Sequence, residues 1–215
     1  MKEYYAHRAP EYEEIYQRPE RQESIKITGS ILTGYFKGRR VLETACGTGF
    51  WTEVISKSAE EITACDINNG VIEIAKTKTF YCPVKFIIAD AFSFKPERDE
   101  YNAFFAGFWI SHILKEKMEQ FTGNLHQSLS GGSRVCFIDN KYVEGSSTKI
   151  SKRDCDGNTY QIRTLKNGES YEVVKNHPDK NELISYINKH GRNINYLETD
   201  YYWILQYEIQ GNALY

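Results

Sequence analysis

The sequence predicts an α/β fold, in which helices cover both faces of a doubly wound, seven-stranded and mostly parallel sheet. Three observations support this prediction. Short apolar runs alternate with helical segments from residue 40 onward, a rhythm typical of crossover units in a parallel sheet. Asn167-Gly168 lies between two strand-like runs, which indicates an inserted β-hairpin. Two further strand-like runs, at 194–197 and 201–209, complete the sheet.

Each element is predicted from its apolar pattern and the turn residues at its ends. The first forty residues are expected to be helical, and 115–129 has apolar residues at helical spacing before Gly131-Gly132. Strands are expected at 40–44, 61–65, 84–89, 101–107 and 133–139, hairpin strands at 159–165 and 169–174, and helices at 49–58, 70–78 and 179–190.

Composition narrows the class of protein. The formal net charge of −2 lacks the basic excess of proteins that bind nucleic acid by neutralising phosphates, so no nucleic-acid partner is expected. No run approaches the roughly 18 apolar residues of a membrane span, and the first residues lack the apolar segment of a signal peptide. The five cysteines are widely spaced without a Cys-x-x-Cys pair, which favours reduced thiols, a cytoplasmic location and no metal site.

The most informative segment follows the first strand. The strand ends near Glu43, the small-residue turn 44–49 follows, and a helix begins near Trp51. Small residues let a ligand approach the backbone closely, and ligands of open α/β sheets bind at the carboxyl ends of the strands. Gly47-x-Gly49 alone is as consistent with a structural turn as with a binding loop.

Two more carboxylates fall at the ends of the next strands. Asp66 follows Glu43 by 23 residues, and Asp90 ends the third strand. A carboxylate at the second position can accept hydrogen bonds from ribose hydroxyls, and one at the third can accept from an adenine amino group. Each could separately be a helix cap, but acids at three successive strand ends favour a nucleotide-like ligand.

With these motifs, residues 40–139 resemble the class I S-adenosylmethionine-dependent methyltransferases, whose Rossmann-like sheet has an antiparallel last strand. The resemblance implies that 43–49 wraps the amino acid end of S-adenosylmethionine, Asp66 holds the ribose, and Ile67 packs on the adenine. Ala45 departs from the glycine that is commonest there, a change expected to be tolerated. The cofactor-binding residues so implied are Tyr16, Glu43, Ala45, Gly47, Thr48, Gly49, Trp51, Asp66, Ile67, Asp90, Ala91 and Phe108.

The resemblance also implies a single methyltransferase domain over 1–215. Its parts would be an N-terminal helical lid (1–38), a cofactor-binding core (39–140), a hairpin insertion (141–176), and a closing helix and strands (177–215). The implied reaction transfers a methyl group to a small-molecule acceptor, at oxygen or nitrogen, and leaves S-adenosylhomocysteine. Direct displacement requires alignment and, for a protonated nucleophile, a base. His112 is the candidate base, although it could instead cap a helix or pack on the cofactor.

Aromatic side chains indicate where the acceptor would bind. Tyrosines are concentrated before the sheet and in the hairpin, and small-molecule methyltransferases often begin with a tyrosine-rich stretch that folds over the cofactor. The acceptor-side candidates are Tyr5, Tyr12, Trp109, Tyr160, Arg163 and Tyr171.

The sequence is also consistent with three alternative functions. A protein that binds S-adenosylmethionine without catalysis, as a sensor or partner subunit, and a peptide or protein methyltransferase both fit the motifs. A dinucleotide site fits less well because its third glycine would fall at Thr52. The chain is expected to be a monomer or homodimer.

Overall fold

The computed structural model describes residues 2–94, 96–97 and 100–211. Its strands are β1 (Arg40–Thr44), β2 (Glu61–Asp66), β3 (Val84–Ile88), β4 (Ala103–Gly107), β5 (Arg134–Asn140), β6 (Lys152–Arg153), β7 (Thr159–Thr164), β8 (Ser170–Val174), β9 (Gly191–Glu198) and β10 (Tyr202–Ile209). Its α-helices are α1 (Lys2–Arg8), α2 (Gln22–Tyr35), α3 (Phe50–Ser56), α4 (Asn69–Lys76), α5 (Lys115–Ser128) and α6 (Lys180–Ile187), and 3-10 helices cover Ala9–Gln17, Pro19–Arg21 and Ile110–His112.

Seven strands form the main sheet in the order β3-β2-β1-β4-β5-β10-β9. The five strands from β3 to β5 in this order are parallel, and β10 is antiparallel to both of its neighbours. The predicted α/β class, the seven mostly parallel strands and the antiparallel last strand are therefore confirmed. The strand order reverses direction between β1 and β4, which is the switch point where ligands bind in such sheets.

Two apolar cores cover the two faces of the sheet. Successive residues of a strand point to opposite faces, so Phe104 packs with α5 and α6 while its neighbour Phe105 packs with α2 and α3. Helices thus lie on both faces, and the carboxyl ends of the parallel strands are left open between them.

The hairpin is also confirmed, with β7 and β8 paired antiparallel around the Asn167-Gly168 turn. β6 adds a short third strand to it, which the sequence does not signal because Lys152-Arg153 is polar and exposed. The helix predicted at 179–190 ends earlier, at Ile187, because β9 already begins at Gly191. The division into one domain with four parts stays a prediction.

Across the described ranges, no helix has the length and apolar character needed to cross a bilayer. Nor do these residues bring three or more His, Cys, Asp or Glu side chains together as a possible metal site. All five cysteines are free.

Candidate functional site

A pocket of about 290 Å³ lies at the carboxyl ends of β1, β2, β3 and β4. Eleven of the residues singled out from the sequence line it: Tyr5, Tyr12, Ala45, Gly47, Asp66, Ile67, Asp90, Ala91, Phe108, Trp109 and His112. They come from the N-terminal segment and from the ends of four strands, so the fold brings together residues that are far apart in the sequence.

The turn after β1 owes its shape to left-handed backbone conformations. Ala45, Gly47 and Gly49 have φ values of 53°, 55° and 79°, a region that glycine adopts without a steric penalty. A Cβ at Gly49 would lie 3.0 Å from the Ala75 Cβ, so glycine also lets α4 pack closely. Ala45 holds the same kind of conformation with a side chain, which costs on the order of 1 kcal/mol.

Asp66 fastens this turn to β2. Its Oδ2 accepts a hydrogen bond from the Gly47 N–H at 3.0 Å, and its Oδ1 accepts one from the Asn68 N–H at 2.9 Å. Burial raises the pKa of Asp66, while these N–H donors oppose the rise. Asp90, at the end of β3, is exposed on the pocket and accepts from the Phe92 N–H at 2.8 Å. Both carboxylates retain free lone pairs for a ligand.

Glu43 lies deeper, in a small adjoining cavity that also includes Tyr16, Thr48 and Trp51. Only 2% of Glu43 is exposed, and its Oε2 has no hydrogen-bond partner among the residues that the structure describes. Burial raises the pKa of Glu43 to about 8. Such a buried acceptor has an unused capacity to bind a donor, and the N–H groups of an ammonium could supply that donor.

The other residues around Glu43 support the turn. Thr48 donates a hydrogen bond to Glu13 Oε1 at 2.7 Å, and Tyr16 stacks on Phe50 with ring centroids 3.9 Å apart. Gly49 lies behind the turn, at the start of α3, and does not line either cavity.

His112 ends the 3-10 turn that follows β4 and has a single consistent tautomer. Its Nδ1 lies 2.6 Å from the Val174 carbonyl oxygen, which can only accept, so Nδ1 carries the proton. Its Nε2 lies 2.7 Å from the Tyr5 hydroxyl, which donates to it. Burial, and then the positive charge of Lys175, lowers the pKa of His112 to about 3. The imidazole is therefore neutral, with a lone pair facing Tyr5.

A buried ion pair supports the loop that carries His112. Lys175 Nζ lies 2.9 Å from Asp139 Oδ1 and 2.5 Å from Ser111 Oγ, and the Ser111 N–H donates to Asp139 Oδ2 at 2.9 Å. Burial alone would raise the pKa of Asp139, but Lys175 and then His112 hold it below its usual value. Lys175 was not predicted from the sequence, although the position of Asp139 at the end of an apolar strand could have indicated a buried carboxylate in need of a partner.

The remaining acceptor-side candidates, Arg163, Tyr160 and Tyr171, lie at different places on the hairpin. Arg163 lines a cavity next to the pocket, together with Tyr5, Tyr12 and His112. Tyr160 points to the other face of β7, where its hydroxyl donates to Asp154 Oδ2 at 2.9 Å. Tyr171 lies near the hairpin end, bonded to Glu169 and packed on Tyr4. Tyr160 and Tyr171 are thus outside the pocket.

Comparison with known proteins gives a consistent result for the central part of the chain. Residues 41–132 match the family model described as a methyltransferase domain. Over 84 residues the chain is 32% identical to demethylmenaquinone methyltransferase of Staphylococcus aureus strain MRSA252, a match that covers 37% of this chain and 35% of that relative. The chain thus spans about a third of the length of the curated relatives it matches.

Solved structures extend the likeness to nearly the whole described fold. The DhpI-SAH complex has a TM-score of 0.79 at 24% identity, covering 97% of this chain and 95% of that one. A S-adenosylmethionine-dependent methyltransferase from Clostridium acetobutylicum ATCC 824 has a TM-score of 0.66 at 13% identity, covering 94% and 99%. At these identities the likeness shows the fold. The family model thus agrees with the resemblance over residues 41–132, and the solved structures confirm the predicted fold.

Proposed function

We propose that this protein, which carries a methyltransferase domain and has the fold of the S-adenosylmethionine-dependent enzymes, transfers a methyl group from S-adenosylmethionine to a small-molecule acceptor. The acceptor atom is an oxygen or a nitrogen. The observation that carries the proposal is the convergence of the acidic strand ends, the left-handed turn and His112 on one pocket. A relative whose name specifies demethylmenaquinone also supports a small acceptor.

The residues of the pocket fit the chemical parts of S-adenosylmethionine. Asp66 and Asp90 offer acceptor oxygens to ribose hydroxyls and to the adenine amino group. Ile67 is an apolar side chain that is 38% exposed on the pocket, and it offers a surface for the adenine ring. The unpartnered Oε2 of Glu43 suits the ammonium of the amino acid end. When bound, this cofactor supplies a methyl group activated by its sulfonium sulfur.

His112 is the proposed base for an acceptor that carries a proton. The bond from Nδ1 to the Val174 carbonyl fixes the tautomer and leaves the Nε2 lone pair available. Because its pKa is low, the imidazole is unprotonated throughout the neutral pH range. An acceptor hydroxyl or amine that replaces the Tyr5 hydroxyl on Nε2 would deliver its proton there as the bond to the methyl carbon forms.

The aromatic walls serve to align the acceptor and exclude water. Tyr5 and Tyr12 from the N-terminal segment line the pocket together with Phe108 and Trp109 from the end of β4. Tyr5 is fixed by its bond to His112 and by edge-on contact with Tyr12 at 6.1 Å. Holding the reacting groups in one geometry supplies much of the acceleration in a direct displacement.

The test is turnover. The protein is incubated with S-adenosylmethionine carrying a labelled methyl group and with fractions of a small-molecule cell extract, and S-adenosylhomocysteine is measured by mass spectrometry. We expect stoichiometric S-adenosylhomocysteine and a labelled product with the wild type, and neither with Asp66→Ala. Cofactor binding without turnover in any fraction would instead support a non-catalytic sensor or partner subunit.

A further inference from the structure

A second cavity adjoins the cofactor pocket at His112. This inner cavity measures about 30 Å³ and shares Tyr5, Tyr12, Phe108 and His112 with the pocket. Its volume accommodates about two water molecules, which is also the space needed for the oxygens of a small oxyanion. Three cationic side chains also line it: Arg8, Arg163 and Lys175.

The charges around the inner cavity do not balance. Lys175 is neutralised by Asp139 at 2.9 Å. Neither Arg8 nor Arg163 pairs with a carboxylate within the described part of the chain; Arg8 donates to the Tyr4 hydroxyl at 2.8 Å and Arg163 to Gln161 Oε1 at 2.5 Å. Two guanidinium groups therefore face one cavity with only neutral partners.

Two partly buried cations without counter-ions are costly, because removal from water disfavours the charged form. Burial lowers the pKa of Arg163. For Arg8, burial also disfavours the cation, but Tyr4, Tyr12 and Tyr5 outweigh burial and raise the pKa of Arg8. The rings of Tyr4 and Tyr12 lie 5.6 and 5.2 Å from its guanidinium carbon. An anion bound by the two guanidiniums would offset the cost at Arg163 and would form charge-assisted hydrogen bonds with both arginines.

The same two arginines are also reached from outside. They line an outer cleft of about 460 Å³ between the N-terminal segment and the hairpin, together with Arg18 and Lys166. Glu14 and Glu11 both pair with Lys166 at this cleft. The cleft still has more cationic than acidic side chains, which favours the approach of an anionic molecule to the two arginines.

We propose that the inner cavity binds an oxyanion of the methyl acceptor, a carboxylate or a phosphate-like group held by Arg163 and Arg8, with the atom to be methylated beside His112. This inference rests on the proposed function and names its substrate class. It assigns Arg163 and Arg8 the recognition of the acceptor, and leaves the binding of the cofactor to the strand ends.

Anion binding at this place would also act on the base. Lys175 and Arg163 both lower the pKa of His112, after burial, which is the largest cause. A negative charge beside these cations counters their effect, so the pKa of His112 rises when the acceptor binds. The imidazole would then accept a proton more readily in the complex than in the free protein.

The experiment titrates the S-adenosylhomocysteine-saturated protein with three probes, benzoate, inorganic phosphate and the neutral benzamide, by calorimetry. We expect benzoate or phosphate to bind and benzamide not to bind. Arg163→Gln should weaken anion binding at least tenfold, and Arg8→Gln should do the same if Arg163→Gln does not fold. Lys152→Gln removes a positive charge from the same small sheet at an exposed ion pair and should leave anion binding unchanged.

The outcomes separate the two proposals. Binding of benzoate alone identifies a carboxylate acceptor, and binding of phosphate alone identifies a phosphate-like one. If neither anion binds, if benzamide binds as well as benzoate, or if both arginine variants bind like the wild type, the anion site is wrong. A wild type that does not bind S-adenosylhomocysteine would contradict the proposed function instead. An NMR titration in which benzoate raises the pKa of the His112 ring would place the anion beside the base.

Discussion

The two sides of the pocket are built in different ways. The floor, formed by Glu43, Asp66, Asp90 and the turn 45–49, is held by hydrogen bonds from side chains to nearby backbone, such as those of Asp66 to Gly47 and Asn68. The acceptor side, formed by residues 2–17 with β7 and β8, is held by contacts between distant side chains. Tyr5 bonds to His112, which is 107 residues away.

Burial also shifts the pKa values of the key groups on the two sides in opposite directions, because one is an acid and the other is a base. Burial raises the pKa of Glu43 to about 8 and lowers that of His112 to about 3. Each group is therefore biased to its neutral form. A neutral acid on the floor and a neutral base on the acceptor side leave the cations of the inner cavity as the dominant charges near the acceptor. The two sides can thus be altered separately by substitution.

The largest expected effect is on the stability of the acceptor side. Lys175→Met leaves Asp139 buried without a partner, since the two side chains are 5% and 0% exposed. We expect a loss of about 3–5 kcal/mol in the free energy of unfolding, measured by urea denaturation. Lys152→Met breaks a pair that is 54% and 42% exposed and should cost less than about 1 kcal/mol. Equal losses in the two variants would mean that the buried pair has no special role.

His112→Ala should separate catalysis from cofactor binding. Removal of the base is expected to lower turnover by about 10²–10⁴-fold, while the affinity for S-adenosylhomocysteine, measured by calorimetry, stays unchanged. His190→Ala, at an exposed position, is the control and should keep full turnover. Full activity of His112→Ala would leave alignment of the acceptor as the main source of acceleration.

Glu43→Gln tests the floor through the pH dependence of stability. In the folded protein Glu43 holds its proton up to about pH 8, whereas its ordinary pKa is 4.5. The stabilisation from its raised pKa is therefore fully present below pH 4.5 and is lost as pH rises from 4.5 to about 8, by up to about 1.4 kcal/mol per pH unit, with no further loss above that pH.

Glu43→Gln cannot ionise and should not show this loss. Urea denaturation of both proteins from pH 4.5 to 9 gives the comparison. If the two pH profiles are parallel, Glu43 titrates normally and the floor does not hold a neutral acid.

The smallest effect is expected at the edge of the acceptor side. Tyr171→Phe removes hydroxyl contacts to Glu169 and His7 that lie outside the pocket, so turnover should not change and stability should change by less than about 0.5 kcal/mol. Tyr5→Phe removes the same group next to His112 and should change the pH profile of turnover. A tenfold loss of turnover in Tyr171→Phe would show that the hairpin end contacts the acceptor.

The sequence was most informative where structure is local. The strand-end acids and the turn follow directly from apolar runs and small residues, and nearly every strand boundary was predicted within two residues. The acceptor side depends on which distant segments meet. Side-chain alternation on β7 directs Arg163 inward and Tyr160 outward, but only the docked position of the hairpin determines which face is inward.

Lys175 illustrates the limit most clearly. A lysine after a strand is ordinarily solvated, and only the fold brings it within 2.9 Å of Asp139, 36 residues away. The unbalanced charges of Arg8 and Arg163 are likewise a property of the assembled cavity. No local pattern distinguishes these arginines from those on a solvated surface.

The role of Asp66 in cofactor binding is tested by calorimetry of S-adenosylhomocysteine binding to the wild type and to Asp66→Ala. Asp200→Ala, at an exposed turn, is the control. We expect saturable binding with one site in the wild type and in Asp200→Ala. We expect a loss of affinity of at least about 30-fold in Asp66→Ala, equivalent to about 2 kcal/mol for hydrogen bonds to a charged group. Equal affinity of the wild type and a folded Asp66→Ala variant, or no binding to the wild type, would contradict this role.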